Sequence, residues 1–323
     1  MTWLLTGGAG YIGAHVVRSL RSSGRDVVVL DDLSTGLATK LPDDVALVEA
    51  NVLDTGAVAD ALRDHACVGV IHLAAKKAVG ESVERPLHYW EQNVEGFRSL
   101  LAATVDVGIG AVVLSSSAAC YGMPDVEVVT EDELTRPLSP YGTTKLAGEW
   151  MLREASAAHG LRHTALRYFN VAGAGSPDLG DTGAFNLIPM VFRRLSQGRP
   201  PLIFGGDYPT PDGTCVRDYI HVADLAAAHV AAAAALEQRD LPDVLNVSTA
   251  TGSSVREVVD TISQVTGIPF EAEVTERRPG DPPRIVGSAD RIAAELGWKG
   301  ERDLHDMVAT AWEAWQASGD PDA

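Results

Sequence analysis

Trp3-Leu4-Leu5-Thr6-Gly7-Gly8-Ala9-Gly10-Tyr11-Ile12-Gly13 opens the chain, and its reading decides the fold. A short apolar run reads as a buried strand, a glycine-rich turn follows, and helical periodicity continues from Ala14 to about Arg21. Val27-Val28-Val29-Leu30 is then a second strand that ends at Asp31-Asp32. Gly7, Gly10 and Gly13 supply what a pyrophosphate needs: a tight turn, close backbone approach and a helix N-terminus. A lone glycine triad is weak evidence, because turns are rich in glycine. Here an acidic pair follows about 20 positions on, where an adenosine ribose needs a hydrogen-bond acceptor. The stretch therefore reads as a dinucleotide site. Asp31 and Asp32 would repel a 2′-phosphate, which favours NAD over NADP.

The alternation continues downstream. Val45-Ala46-Leu47-Val48, Val68 to Leu73, Ala111 to Leu114 and Ala165 to Asn170 are expected strands, and Pro86 to about Asp106 and Tyr141 to about His159 are expected long helices. Strand and helix at this spacing predict an α/β protein, a doubly wound parallel sheet of the NAD-binding Rossmann type. After Ala174 the texture changes to Gly, Pro and Asp. Pro200, Pro201, Pro209, Pro211, Pro279, Pro282 and Pro283 break any long helix, so a smaller C-terminal region built from short elements is expected. Val244-Leu245-Asn246-Val247 again looks like a strand and returns to the first sheet. The expected division is residues 1–174 with 218–250 returning to them, against 175–217 and 251–323. His72 reads as a satisfied core histidine, Trp312 and Trp315 as packing residues, and the tail from Ser318 to Ala323 as mobile.

The bulk properties exclude other classes. With 323 residues the chain is long enough for a sizeable core, and its 46% apolar content is that of an ordinary soluble protein. A formal charge of −18 argues against nucleic acid or an anionic membrane as partner. Cys67, Cys120 and Cys215 are far apart and in no metal-ligand spacing, which suggests a reducing compartment; Cys120 alone lies near the site described next. No signal peptide is expected ahead of the first strand, and the alanine-rich Leu225 to Leu236 is short of the roughly 20 residues a bilayer requires. A cytoplasmic location is expected, with no metal.

Ser115-Ser116-Ser117 and Ser139-Pro140-Tyr141-Gly142-Thr143-Thr144-Lys145 carry the chemistry. The serines fall at the carboxyl end of a strand, where open α/β sheets place their ligands. Ser139 and Pro140 are a helix start, since serine accepts an orphan N–H and proline suits the first helical position. Tyr141 and Lys145 then share one helical face, and the ammonium is expected to lower the phenol's pKa so that it can act as a base.

With the glycine loop and Tyr141/Lys145 both in view, the chain resembles the extended short-chain dehydrogenase/reductases, and most closely the UDP-glucose 4-epimerases. The likeness runs nearly end to end. Its most specific passages are Lys77 to Ser82, Leu114 to Ala118, Arg167-Tyr168-Phe169-Asn170, and Phe204 to Thr210 through Val216 to His221. The resemblance implies an isomerase that inverts C4 of UDP-hexoses reversibly, UDP-galactose to UDP-glucose, through a 4-keto intermediate. Tyr141 is the implied base, with Ser117 and Lys145. The cofactor site implied, together with Gly7, Gly10 and Gly13, comprises Tyr11, Ile12, Asp31, Asp32, Leu33, Ser34, Thr35, Gly36, Asn51, Val52, Leu73, Ala74, Ala75, Lys77, Asn93, Ser115, Tyr141, Lys145 and Phe169. The UDP-sugar side implied is Lys77, Ser117, Tyr141, Asn170, Asn186, Leu187, Leu202, Phe204, Arg217, Arg278, Asp281 and Ile285. Arg217 and Arg278 suit a diphosphate on their own chemistry, the competing reading being surface ion pairs with Asp218 or Asp281. Asn51 stands where many relatives have Asp, and its amide oxygen can accept the adenine amino group. Val171 replaces the proline that follows Asn170 in some members. Ile285 matches a position where a bulkier tyrosine restricts some relatives, and leaves UDP-N-acetyl sugars open. A 4,6-dehydratase would carry Asp-Glu after Ser117, where this chain has Ala118-Ala119; a non-catalytic NAD-sensing scaffold would have no need of Ser117, Tyr141 and Lys145 together. The helices from Pro86 and Tyr141 resemble the pair through which these epimerases form homodimers.

Overall fold

The computed structural model describes residues 1–318 apart from Thr182, Ala184, Phe185 and Pro279. Pro279 and the tail from 319 onward, on which two of the expectations rest, lie outside the described residues. The first half alternates as expected: β1 (Thr2–Thr6), α1 (Tyr11–Ser22), β2 (Asp26–Asp31), β3 (Ala46–Glu49), α2 (Thr55–Asp64), β4 (Cys67–His72), α3 (Val79–Glu84), α4 (Pro86–Tyr89), α5 (Gly96–Val107), β5 (Ala111–Ser117), α6 (Pro140–His159) and β6 (Arg162–Tyr168). There follow β7 (Asn170–Ala172), α7 (Leu187–Ser196), β8 (Leu202–Phe204), β9 (Val216–His221), α8 (Val222–Leu236), β10 (Val244–Val247), β11 (Gly252–Ser254), α9 (Val255–Thr266), β12 (Glu273–Thr275), β13 (Arg284–Ile285), α10 (Asp290–Leu296) and α11 (Leu304–Ser318).

Seven strands form one parallel sheet in the order β10-β6-β5-β4-β1-β2-β3. Both faces are covered, which is why its strands are continuous apolar runs rather than alternating ones. Side chains of a strand alternate between faces, so Trp3 and Leu5 join the core beneath α1 and α8, while Leu4 joins the core beneath α2 and α5. Gly69 on β4 is part of the same fit, since a Cβ there would lie 2.5 Å from the Trp3 ring. The carboxyl edge of the sheet gathers the ends of β1, β2, β4, β5 and β6, and the proposed site residues fall there.

The second half adds a four-stranded sheet with the path β11-β9-β13 and β7 beside β9, and a β8-β12 pair. A third core joins them to α7, α9 and α11 through Ile188, Phe192, Ile203, Val258, Ile262 and Val308. Trp312 and Trp315 lie tilted against Phe192 with ring centres 5.0 and 5.8 Å away and act as packing residues.

Three boundaries differ from expectation. The helix expected from Pro86 to Asp106 is interrupted by a π-helical turn, Trp90–Glu95. Asn170 does not continue the preceding strand but begins β7, which leaves the large sheet to pair with β9. Within 218–250, α8 and β10 lie on the large sheet, whereas the residues up to His221 belong to β9 and the smaller one. Among the described residues no helix is long and apolar enough to cross a membrane.

Candidate active site

β1 leads into Gly7 at φ +73°. A Cβ on Gly7 would lie 2.7 Å from Ala74 N, and one on Gly13 would lie 2.1 Å from Gly7 O. Glycine at both lets the turn, the loop after β4 and the first turn of α1 touch directly. Gly10 is the N-cap of α1 and has no side-chain acceptor to give, so the first N–H groups of the helix are left for an anion. Asp31 accepts from Ala9 N and Leu33 N, each at 2.9 Å, and so stitches the glycine turn to the loop after β2. Its burial raises its pKa against those two bonds. Burial pushes Asp32 the same way, but hydrogen bonds from Ser34 and Asn51 outweigh it and hold that carboxyl below its ordinary value. Asn51 donates to Asp32 at 2.7 Å and accepts from Leu53 N at 2.9 Å, which leaves its oxygen one further lone pair. Gly36 packs against Ala9, Thr35 is exposed, and Val52 is buried under Gly96.

The loop from Leu73 to Lys77 is pinned from the side. Asn93 accepts from Lys76 N at 2.8 Å and donates to Lys76 O and to Thr144 Oγ1, both at 3.0 Å. It stands on the π-helical turn, a local widening of the kind that recurs at functional sites. The uncapped helix N-terminus, the glycine cradle that a Cβ would fill and the two carboxylates together fit a dinucleotide.

β5 carries Ser115, Ser116 and Ser117 to the sheet edge because they stay in register with Leu166, Arg167 and Tyr168 of β6. α6 starts beside them, with Pro140 in its first turn and Ser139 Oγ accepting from Gly142 N at 3.2 Å. Lys145 Nζ lies 5.9 Å from the centre of the Tyr141 ring and donates to Ser115 O at 2.9 Å. Ser117 Oγ accepts from Ala119 N at 3.1 Å, and the Ser117 side chain is near enough to the Tyr141 phenol to favour its ionised form. The expected lowering of that phenol's pKa is corrected here. Burial pushes it well above its ordinary value, Tyr168 adds to the rise, and only Ser117 opposes it. Lys145 does not offset the rise by itself, and burial brings its own pKa down to about 8, although Cys120 and Glu149 hold it up.

One part of this site was missed from sequence. Glu149, one turn beyond Lys145, accepts from Arg167 Nε at 2.8 Å, from Arg167 Nη2 and from Ser116 Oγ. All three groups are buried, and the Arg167 guanidinium lies 4.7 Å over the Tyr121 ring. The ion pair ties α6 to β6, and the Ser116 bond ties it to β5. A carboxylate repeating the spacing of Tyr141 and Lys145 was the available signal. Cys120 is buried in this cluster, and burial pushes its thiol up to about 12, which makes it a packing residue. His72 bonds Thr6 at 2.8 Å and stacks on Phe97, as a core histidine should.

A cavity of about 1040 Å³ adjoins this edge and is lined by Tyr11, Lys77, Asn170, Asn186, Leu187, Leu202, Phe204, Arg217, Arg278 and Asp281. Asn170 donates to Asp218 O at 3.2 Å, and Asn186, at the N-cap position of α7 without a capping bond, donates to Asp181 at 2.6 Å. Arg217 lies 3.5 Å from Asp281 and not on Asp218. Asp218 is fully buried and accepts from Ser248, Thr249 and Gly287 instead. Arg278 stacks on the Phe204 ring at 3.8 Å. Ser117, Tyr141 and Ile285 are not on the cavity wall. Ile285 packs with Ala118, Tyr121, Val129 and Phe169 in a small apolar cluster of its own.

Comparison with known proteins agrees with this geometry. The profile of the NAD dependent epimerase/dehydratase family matches residues 3–248. The UDP-glucose 4-epimerase of Azospirillum brasilense is 46% identical over 321 residues, covering 98% of this chain and 92% of that protein. That of Corynebacterium glutamicum is 43% identical, covering 99% and 97%. Among solved structures, a UDP-glucose 4-epimerase superposes with a TM-score of 0.94 at 39% identity over 98% of both chains. The Bifidobacterium longum enzyme in complex with NAD+ and UDP gives 0.91 at 34% identity over 99% of both. The chain belongs to the NAD-dependent epimerase/dehydratase family.

Proposed function

We propose that this protein interconverts UDP-galactose and UDP-glucose by inverting C4 through a 4-keto intermediate, with NAD retained throughout. The observation that carries the reading is a single cavity bounded by Tyr11 and Lys77 of the dinucleotide region on one side and by Arg217 and Arg278 on the other. Its volume, about 1040 Å³, is at the upper end for small-molecule sites, as a nucleotide sugar requires. The work divides between residues 1–174 with α8 and β10, which hold the dinucleotide, and the remainder, which holds UDP.

Arg217 and Arg278 are permanently charged donors for the diphosphate, and Asn186 and Leu187 bring the N-terminus of α7 to the same end. When bound, NAD would supply a reversible hydride acceptor for C4 and a positive charge to offset the burial that raises the Tyr141 phenol's pKa. Once ionised under that charge, Tyr141 Oη takes the proton from the sugar 4-OH, and the Ser117 hydroxyl orients that transfer. Lys145, fixed on the Ser115 carbonyl, provides the second positive charge. The keto sugar turns about its diphosphate tether, and Tyr141 returns its proton to O4 on the opposite face. Anchoring UDP while leaving the hexose loosely held is what permits the turn. UDP-N-acetyl sugars stay open as substrates, so product analysis with UDP-N-acetylgalactosamine belongs beside the main assay.

The unpaired, buried Cys67, Cys120 and Cys215 fit a reducing cytoplasm. Leu87, Trp90 and Trp150, exposed on α4, the π-helical turn and α6, fit a homodimer interface. The activity test is purified protein with UDP-galactose and no added NAD. UDP-glucose as the product supports the reading, while a 4-keto-6-deoxy sugar or no product rejects it.

A further inference from the structure

The segment Gly173-Ala174-Gly175 follows β7 and the cavity residue Asn170, yet side chains from distant parts of the chain take its backbone groups one after another. Tyr11 Oη donates to Gly173 O. Thr310 Oγ1, on α11, accepts from Ala174 N at 3.1 Å. His15 Nε2, on α1, accepts from Gly175 N at 2.7 Å.

The protonation of each partner is fixed by what lies behind it. His15 Nδ1 is 2.8 Å from Tyr11 O, which can only accept, so the ring proton is on Nδ1 and Nε2 is an acceptor. His221 has the opposite tautomer, because Nδ1 accepts from Ala223 N at 3.0 Å and Nε2 must donate to Thr310 Oγ1 at 3.0 Å. The Thr310 hydroxyl in turn donates to Asp306 O at 2.8 Å, and all its capacity is used. Gly173, at φ +86°, lies so close to the His221 ring that a Cβ there would be 2.6 Å from it. A short, glycine-flanked segment that would otherwise be free to move is thus held in one conformation between the dinucleotide helix and the last helix.

We propose that Thr310 and His15 are positioning residues for the sugar-nucleotide site, holding residues 173–175 so that β7 presents Asn170 to the UDP-sugar and Tyr11 meets both ligand regions. This rests on the reading that the cavity containing Asn170 takes UDP. When a hold of this kind is lost, the segment samples other conformations, and apparent affinity falls in proportion to the fraction that stays competent.

The test is UDP binding by calorimetry to the NAD-loaded protein, with NAD content measured on the same samples. Thr310→Val and His15→Phe should each weaken UDP about tenfold, the effect of a competent fraction near 0.1, with NAD content unchanged. Thr310→Ser, which keeps the hydroxyl, should bind within about twofold of the parent. The two arms are independent, so a variant that fails to fold leaves the other to decide. Equal UDP affinity in parent and variants, Thr310→Ser as weak as Thr310→Val, or NAD lost in step with UDP would each overturn the proposal. A parent protein that binds NAD but not UDP would instead remove the functional reading beneath it.

Discussion

In the proposed mechanism Lys145 keeps a proton inside the fold next to a phenol that must give one up. Burial alone would make the ammonium unfavourable; the Ser115 carbonyl holds it by a charge-assisted bond and Glu149 supports it from the next turn. Since burial brings its pKa to about 8, turnover is expected to fall on the alkaline side as pH rises through that value and the ammonium is lost. A pH profile of kcat at saturating UDP-galactose checks it, and a flat profile to pH 9.5 would exclude the role. Tyr141→Phe should lower kcat by roughly 10²- to 10⁴-fold, the usual contribution of a positioned acid–base group, while NAD stays bound. Tyr141 and Lys145 were legible in the sequence because their relation is local, one helical turn. Glu149–Arg167 was not, because Arg167 arrives from another strand and only the tertiary fold makes them partners. The sign of the Tyr141 shift was misread for a related reason: spacing reveals a neighbouring charge but not how deeply both groups are buried.

At the scale of elements, the glycine turn and the start of α6 do most to place the site. Gly13→Ala would put a Cβ 2.1 Å from Gly7 O, against backbone that cannot yield without moving β1 or α1. Overpacking of this kind is expected to cost about 1–3 kcal/mol and to release NAD, measurable as a lower urea midpoint and less nucleotide in the purified protein. Ser139→Ala removes the α6 cap and should cost about 1 kcal/mol with the same readout. Both features could be read in advance, since glycine spacing and a Ser-Pro helix start are chain-local signals. The π-helical turn that lets Asn93 reach Lys76 could not. Its sequence, Trp90-Glu91-Gln92-Asn93-Val94-Glu95, reads as ordinary helix, and the widening is settled by contacts with α6 and the loop after β4. Asn170 was assigned to the wrong strand for a similar reason, as nothing in an apolar run marks where it leaves one sheet for another.

At the scale of the whole molecule, four histidines among the described residues are buried and held neutral by that burial, with pKa values brought down to about 4 for His15, His221 and His229 and about 3 for His72. In the unfolded chain they take up protons near pH 6.5, so their contribution to stability is intact above that pH and is lost as pH falls toward 4. Each is worth on the order of 1–3 kcal/mol, and the raised pKa of Asp218 works in the opposite direction as its native form takes up a proton. Unfolding free energy from urea titrations should therefore decline between pH 7 and pH 5, and His229→Leu should flatten the slope. A slope unchanged in that variant would mean that His229 is not held neutral. The doubly wound class followed from strand and helix order, whereas the clasp on residues 173–175 depends on α11 returning from the far end of the chain to α1, which local pattern does not encode. The central claim, that the hydrogen taken from C4 is held within one pocket and returned to the same carbon, is most directly tested with UDP-galactose carrying deuterium at C4 in ordinary water. UDP-glucose that keeps the deuterium at C4 is the predicted result, and product in which it has been replaced by solvent hydrogen would contradict the account.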